Sequence, residues 1–143
     1  MRRTFLRRFL ALLAASVMLP TAFAATPIDL RLPGTVIILR HAYAPGTSDP
    51  AGFDLADCQT QRNLNDAGRA QARALGRQLR AAGLPSSTAV FTSPWCRCQE
   101  TARLLELAPP FVLGALRSFY ANPDETERVT DELRAFLQTL PVD

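Results

Sequence analysis

The chain has 143 residues, 48% of them hydrophobic, with sixteen arginines, no lysine, thirteen acids and a single histidine. Four arginines fall in residues 1–8 and every acid lies beyond residue 24, so residues 25–143 carry a formal charge of −1. That balance gives no support to a nucleic-acid partner, and the length suits one core rather than two.

Arg2, Arg3, Arg7 and Arg8 precede an apolar run from Phe9 to Leu19, and Ala22-Phe23-Ala24 follows. A basic start, a short apolar centre and small residues at a cleavage box predict a signal peptide over residues 1–24. Residues 25–143 then form the one domain. The apolar run is short for a transmembrane helix, so no stable membrane anchor is expected after cleavage. The expected location is outside the cytoplasm, periplasmic or secreted, by either the general or the twin-arginine route. Cys58, Cys96 and Cys98 would then meet an oxidising environment, where an odd count implies one disulfide and one free thiol. The pairing expected is Cys58 with Cys96 or with Cys98, closing a loop whose stabilisation is roughly 3–4 kcal/mol. A structural zinc site needs four ligands, and no metal is expected.

Pro33-Gly34 introduces Val36-Ile37-Ile38-Leu39, an unbroken apolar run that predicts a buried central strand. A polar stretch from Ala42 to Asn65 follows, too long for a plain connection and therefore a candidate functional loop. Asn65 caps the next helix, Asp66 suits its positive end and Gly83 stops it. Arg69, Arg73, Arg77 and Arg80 line one side of it, read as the solvated face. Ala89 to Thr92 is a second strand. Ser93-Pro94 reads as cap and first position of a helix running to about Leu107, with Trp95 in the core or a pocket wall. Phe111 to Leu116 is a third strand. Asn122-Pro123 opens a last helix whose buried face is Val129, Leu133, Phe136 and Leu140. Strands alternating with helices predict an α/β fold with a largely parallel sheet and helices on both faces.

Ligands of such sheets gather beyond the carboxyl ends of the strands. Arg40-His41 ends the first strand, and Ser93-Pro94-Trp95-Cys96-Arg97 leads from the second into a helix. A helix start favours an anion, and two guanidinium groups suit a tetrahedral phosphate. A neutral imidazole beside them can attack phosphorus.

Leu39-Arg40-His41-Ala42 resembles the Arg-His-Gly signature of the histidine phosphatase superfamily, with alanine in the glycine position. Asn63 to Ala72 is similar to that family's Leu-x-x-x-Gly-x-x-Gln-Ala segment, and Ser93 to Ala102 to its Ser-x-x-x-Arg-x-x-x-Thr-Ala segment. The resemblance implies a phosphoglycerate-mutase-like, three-layer α/β fold. It also implies that His41 is the phosphorylated nucleophile and that Arg40 and Arg97 bind phosphate. Thr47 stands where the mutases carry a phosphate-binding asparagine. The implied partner is a small phosphorylated substrate and no cofactor is implied; the oligomeric state is left open. The chain departs from the family in lacking a second histidine and in carrying no carboxylate within Leu116 to Tyr120. Its C-terminal strand is expected to be missing. Two functions follow as expectations. One is hydrolysis of phosphate monoesters through a phosphohistidine, preferred to mutase activity for an exported protein. The other is a catalytically inactive phosphate-binding or vestigial member of the same fold.

Overall fold

The computed structural model describes residue 30 and residues 34–141. The signal peptide predicted for residues 1–24 lies outside them. No helix among the described residues is long and apolar enough to cross a membrane.

Helix α1 spans Asp66–Ala81. The Asn65 side chain accepts from the Gly68 amide at 2.9 Å, occupying one of the free donors of the first turn. Its buried face is Gly68, Ala72 and Gly76, four residues apart and all small. Small residues bring neighbouring backbone close. A Cβ on Gly68 would fall 2.0 Å from the Tyr43 carbonyl oxygen, and one on Gly76 2.2 Å from that of Leu105. Ala42, Ala44, Leu64 and Ala72 pack together there, with Leu104 against them.

Strand β1 (Phe91–Thr92), helix α2 (Cys96–Leu104) and strand β2 (Phe111–Val112) form one parallel unit with the helix as crossover. The Phe111 amide donates to the Val90 carbonyl at 2.9 Å and the Leu113 amide to Thr92 at 2.8 Å. Helix α3, Thr126–Leu137, follows a short 3-10 turn at Pro123–Glu125. Val129 is buried as expected, and Phe136 meets Phe91 edge-on with ring centroids 4.8 Å apart.

Several expectations are corrected. Residues 36–39 form no ladder, and Ile38 is 75% exposed. A buried central strand needs hydrogen-bonding neighbours on its edges, and the one ladder among the described residues joins β1 to β2. The third strand stops at Val112, because the chain turns into a 3-10 helix at Gly114–Leu116. The parallel α/β character holds, whereas the three-layer arrangement extends beyond what this two-stranded sheet displays. Helix α2 begins two residues after the Ser-Pro signal, with Trp95 at its cap position. Its first amide is served from elsewhere: the Cys96 amide donates to the Gln61 side chain at 3.0 Å.

The arginine row on α1 divides. Arg73 and Arg77 are exposed, as a solvated face requires. Arg69 instead donates from Nε to Glu100 at 2.8 Å, and Arg80 reaches the far end of α2. Arg80 Nη1 donates to the carbonyls of Leu105 and Glu106, two acceptors just beyond the helix end. The chain turns away there through Glu106, whose φ is +56°.

Candidate active site

The three sequence segments converge on the residues around His41. Thr101, one turn beyond Arg97 on α2, donates its hydroxyl proton to the Arg97 carbonyl at 2.7 Å. The same oxygen accepts from the Ala42 amide at 3.0 Å. The Arg-x-x-x-Thr spacing therefore fastens the chain beside His41 to the helix that carries Arg97. On the other side, the Tyr43 amide donates to the Gln71 side chain at 2.8 Å. Gly68, three residues earlier on α1, makes room for the Tyr43 carbonyl. The Gly-x-x-Gln-Ala spacing is thus a second clamp on the same backbone, with Ala72 filling the core below.

His41 is half-buried, and its Nδ1 lies 2.7 Å from the Ala42 carbonyl oxygen. A carbonyl only accepts, so Nδ1 carries the proton and the Nε2 lone pair is left for chemistry. Burial pulls the imidazole pKa down, the Ala42 carbonyl opposes this, and the charges of Arg97, Arg62 and Arg40 lower it further. Three guanidinium groups therefore share the surroundings of one neutral imidazole. With one histidine in the chain, an NMR titration reads His41 without ambiguity. Its midpoint is expected below the ordinary 6.5. The unfolded chain then takes up a proton near pH 6.5 that the folded chain refuses, so this group makes stability fall as pH drops through that region. A midpoint at or above 6.5 would remove the cationic surroundings from the account.

Arg97 is buried, and its Nη1 donates to Asp49 Oδ1 at 2.7 Å and to the Arg62 carbonyl at 3.3 Å. Its Cζ lies 5.8 Å from the centre of the Trp95 ring. Trp95, read from sequence as core or pocket wall, is buried, packs against Phe53 and donates from Nε1 to Asp49 Oδ2 at 3.0 Å. Arg62 Nη1 donates to the Ala44 carbonyl at 2.6 Å. Burial and the neighbouring Arg97 charge lower the Arg62 pKa. The Nε groups of Arg62 and Arg97 are buried with no hydrogen-bond partner among the described residues. Crowded cations with unpaired buried donors mark a place where an anion would be welcome.

A model for the histidine phosphatase superfamily (branch 1) matches residues 36–135. The chain belongs to this superfamily. Comparison with curated proteins and with solved structures gives no match.

Of the residues that the histidine phosphatase resemblance singles out, the structure gathers His41, Arg40 and Arg97. Arg40 is exposed on the solvent side, within electrostatic reach of His41. Thr47 lies exposed in the loop, two residues before Asp49. Arg62 and Asp49 escaped the sequence reading. The one hint was position: Arg62 immediately precedes the Asn63 to Ala72 segment, and Asp49 sits in the long loop flagged as functional.

That loop is ordered by its own side chains. The Asp57 carboxylate accepts from Gln59, Thr60 accepts from the Asp54 amide at 2.8 Å, and a 3-10 turn forms at Cys58–Thr60. Gln61 is buried and donates from Nε2 to the Asp54 and Leu55 carbonyls at 3.0 and 3.1 Å, while its oxygen holds Cys96. Beside it, Cys58 and Cys96 are joined in a disulfide across a Cα separation of 5.7 Å. Cys98 is free and half-buried. Burial raises its thiol pKa against the opposing Arg97 charge, which keeps it protonated and a poor nucleophile. Replacing Cys58 by serine is expected to cost roughly 3–4 kcal/mol of stability on the chain-entropy account. Urea unfolding of oxidised wild type against the variant measures this, and equal midpoints would show that the bond constrains nothing.

Proposed function

We propose that this protein is an exported phosphatase that hydrolyses phosphate monoesters through a phosphohistidine on His41. The observation that carries this reading is the Nδ1 contact to the Ala42 carbonyl, which frees Nε2 among Arg40, Arg62 and Arg97. Nε2 attacks phosphorus, the bond from phosphorus to the ester oxygen breaks with its electron pair going to that oxygen, and the oxyanion departs and takes a proton from water. Water then attacks phosphorus, the bond to nitrogen breaks, and phosphate and the free imidazole are released. Arg97 and Arg40 hold the transferring oxygens and offset their charge in the transition state, with Arg62 as a third cation and Thr47 as a neutral donor. No metal and no organic cofactor enters either step.

Leaving-group protonation shapes the expected substrate. The segment Leu116 to Tyr120 supplies no carboxylate to protonate the departing oxygen. Phenolates leave without such help, so aryl phosphates are the favoured substrates. Export is supported by the Ala22-Phe23-Ala24 leader signature and by the Cys58–Cys96 disulfide. Family membership supports a three-layer α/β arrangement for the domain.

The single histidine favours a second reading, an inactive member that binds phosphate and turns nothing over. Incubation with an aryl phosphate separates the two. Phenol release with a phosphorus–nitrogen signal in the 31P spectrum supports the enzyme. Phosphate binding with neither supports the inactive member.

A further inference from the structure

Asp49 lies in the loop after His41, is absent from all three sequence segments, and yet makes the most connected carboxylate contact of the site. Its Oδ1 accepts from Arg97 Nη1 at 2.7 Å and from the Arg62 amide at 2.9 Å, and its Oδ2 accepts from Trp95 Nε1 at 3.0 Å. The two side chains of the ion pair are only 9% and 10% exposed, for Arg97 and Asp49 respectively. We propose that Asp49 is a positioning residue, which sets the direction of the Arg97 guanidinium and places the backbone of Arg62 so that both face the phosphoryl group.

An arginine side chain has several rotatable bonds, and aiming its fork at an anion costs conformational entropy unless something else has already aimed it. Asp49 fixes one Nη nitrogen and the Arg62 carbonyl shares it. The Trp95 indole fixes the carboxylate itself. Oδ1 also ties the Arg97 guanidinium to the backbone of Arg62, the residue whose own guanidinium is crowded by the Arg97 charge. One carboxylate thus holds two arginines that would otherwise repel, in a setting where their buried Nε groups remain unpaired. Burial alone would raise the Asp49 pKa. The Arg97 and Arg62 hydrogen bonds outweigh it and keep the group ionised.

This proposal rests on the phosphoryl reading of the site, and inorganic phosphate is the probe that separates the two. Calorimetry on the intact, oxidised protein is expected to show Asp49→Asn binding phosphate about tenfold more weakly than wild type. In an Arg97→Lys background the same substitution is expected to change affinity by no more than about twofold, because the effect travels through the Arg97 fork. A carboxylate that served only to hold the loop would weaken both backgrounds alike, and that result overturns the proposal. Asp49→Asn binding as tightly as wild type, or more tightly, also overturns it; tighter binding would make the carboxylate a competitor of phosphate. Wild type that binds no phosphate overturns the phosphoryl reading and this proposal together. Should Asp49→Asn fail to fold, Trp95→Phe removes one of the donors that fix the carboxylate. It is expected to weaken phosphate about threefold, and unchanged affinity there would overturn the role of Asp49.

Discussion

Turnover of an aryl phosphate by His41→Ala is expected to fall by roughly a thousandfold or more, as for the loss of a covalent nucleophile. The imidazole Nε2 is the atom that the site presents to phosphorus, and alanine leaves only water in its place. Phosphate affinity is expected to change little. A neutral imidazole contributes no charge, and the cationic field comes from Arg40, Arg62 and Arg97. The signature is therefore a collapse in kcat with phosphate still bound, read by phenol release and by calorimetry on the same preparation. Equal rates for His41→Ala and wild type would end the enzymatic reading. The pH dependence adds a sign. Because His41 is held below 6.5, the nucleophile stays neutral into mildly acidic solution, and the acid limb of kcat/KM lies below that value.

The second large effect concerns Arg97→Ala, which is expected to cost about 3 kcal/mol of stability as well as phosphate affinity. Breaking a buried ion pair from one side typically costs about 3–5 kcal/mol, because the other charge stays buried without its partner. The low end applies here, since Asp49 keeps its hydrogen bonds from Arg62 and Trp95. For Asp49 the sign is the same as for His41, in a more acidic window. Its folded pKa is held below 3.8, so it contributes stability above that value and loses it as pH falls through the folded pKa. Removing Arg97 leaves burial less opposed, and acid unfolding is expected to begin at higher pH. Urea unfolding at neutral and acid pH measures both. A variant as stable as wild type would mean that the pair is worth no more than an exposed one.

Much of this fold is legible from local signals because those signals act locally. Asn65 caps α1 through the Gly68 amide, three residues away, and Val129 is buried where periodicity puts it. The start of α2 is misread for the opposite reason. Its first amide is served by Gln61, thirty-five residues earlier, so the Ser93-Pro94 signal falls two residues early. The β-rich run at residues 36–39 announces a strand, but a strand is a relation between segments and the run has no ladder partner among those described. At the site, His41, Arg40 and Arg97 stand inside recognisable spacings. Asp49 and Arg62 do not: their importance arises from what folds against them, and a lone loop aspartate looks the same whether it faces water or a buried arginine.

Helix α2 has nine residues, fewer than an isolated helix needs to persist in water. Gln61 holds its first amide, Arg80 holds the carbonyls just past its end, and the disulfide ties its first residue to the loop. Its order is therefore borrowed from both flanks. The helix that carries Arg97 thus keeps its shape only while α1 and the loop stand against it. A peptide spanning Ser93 to Leu107 would hold every residue of that signature and none of its shape.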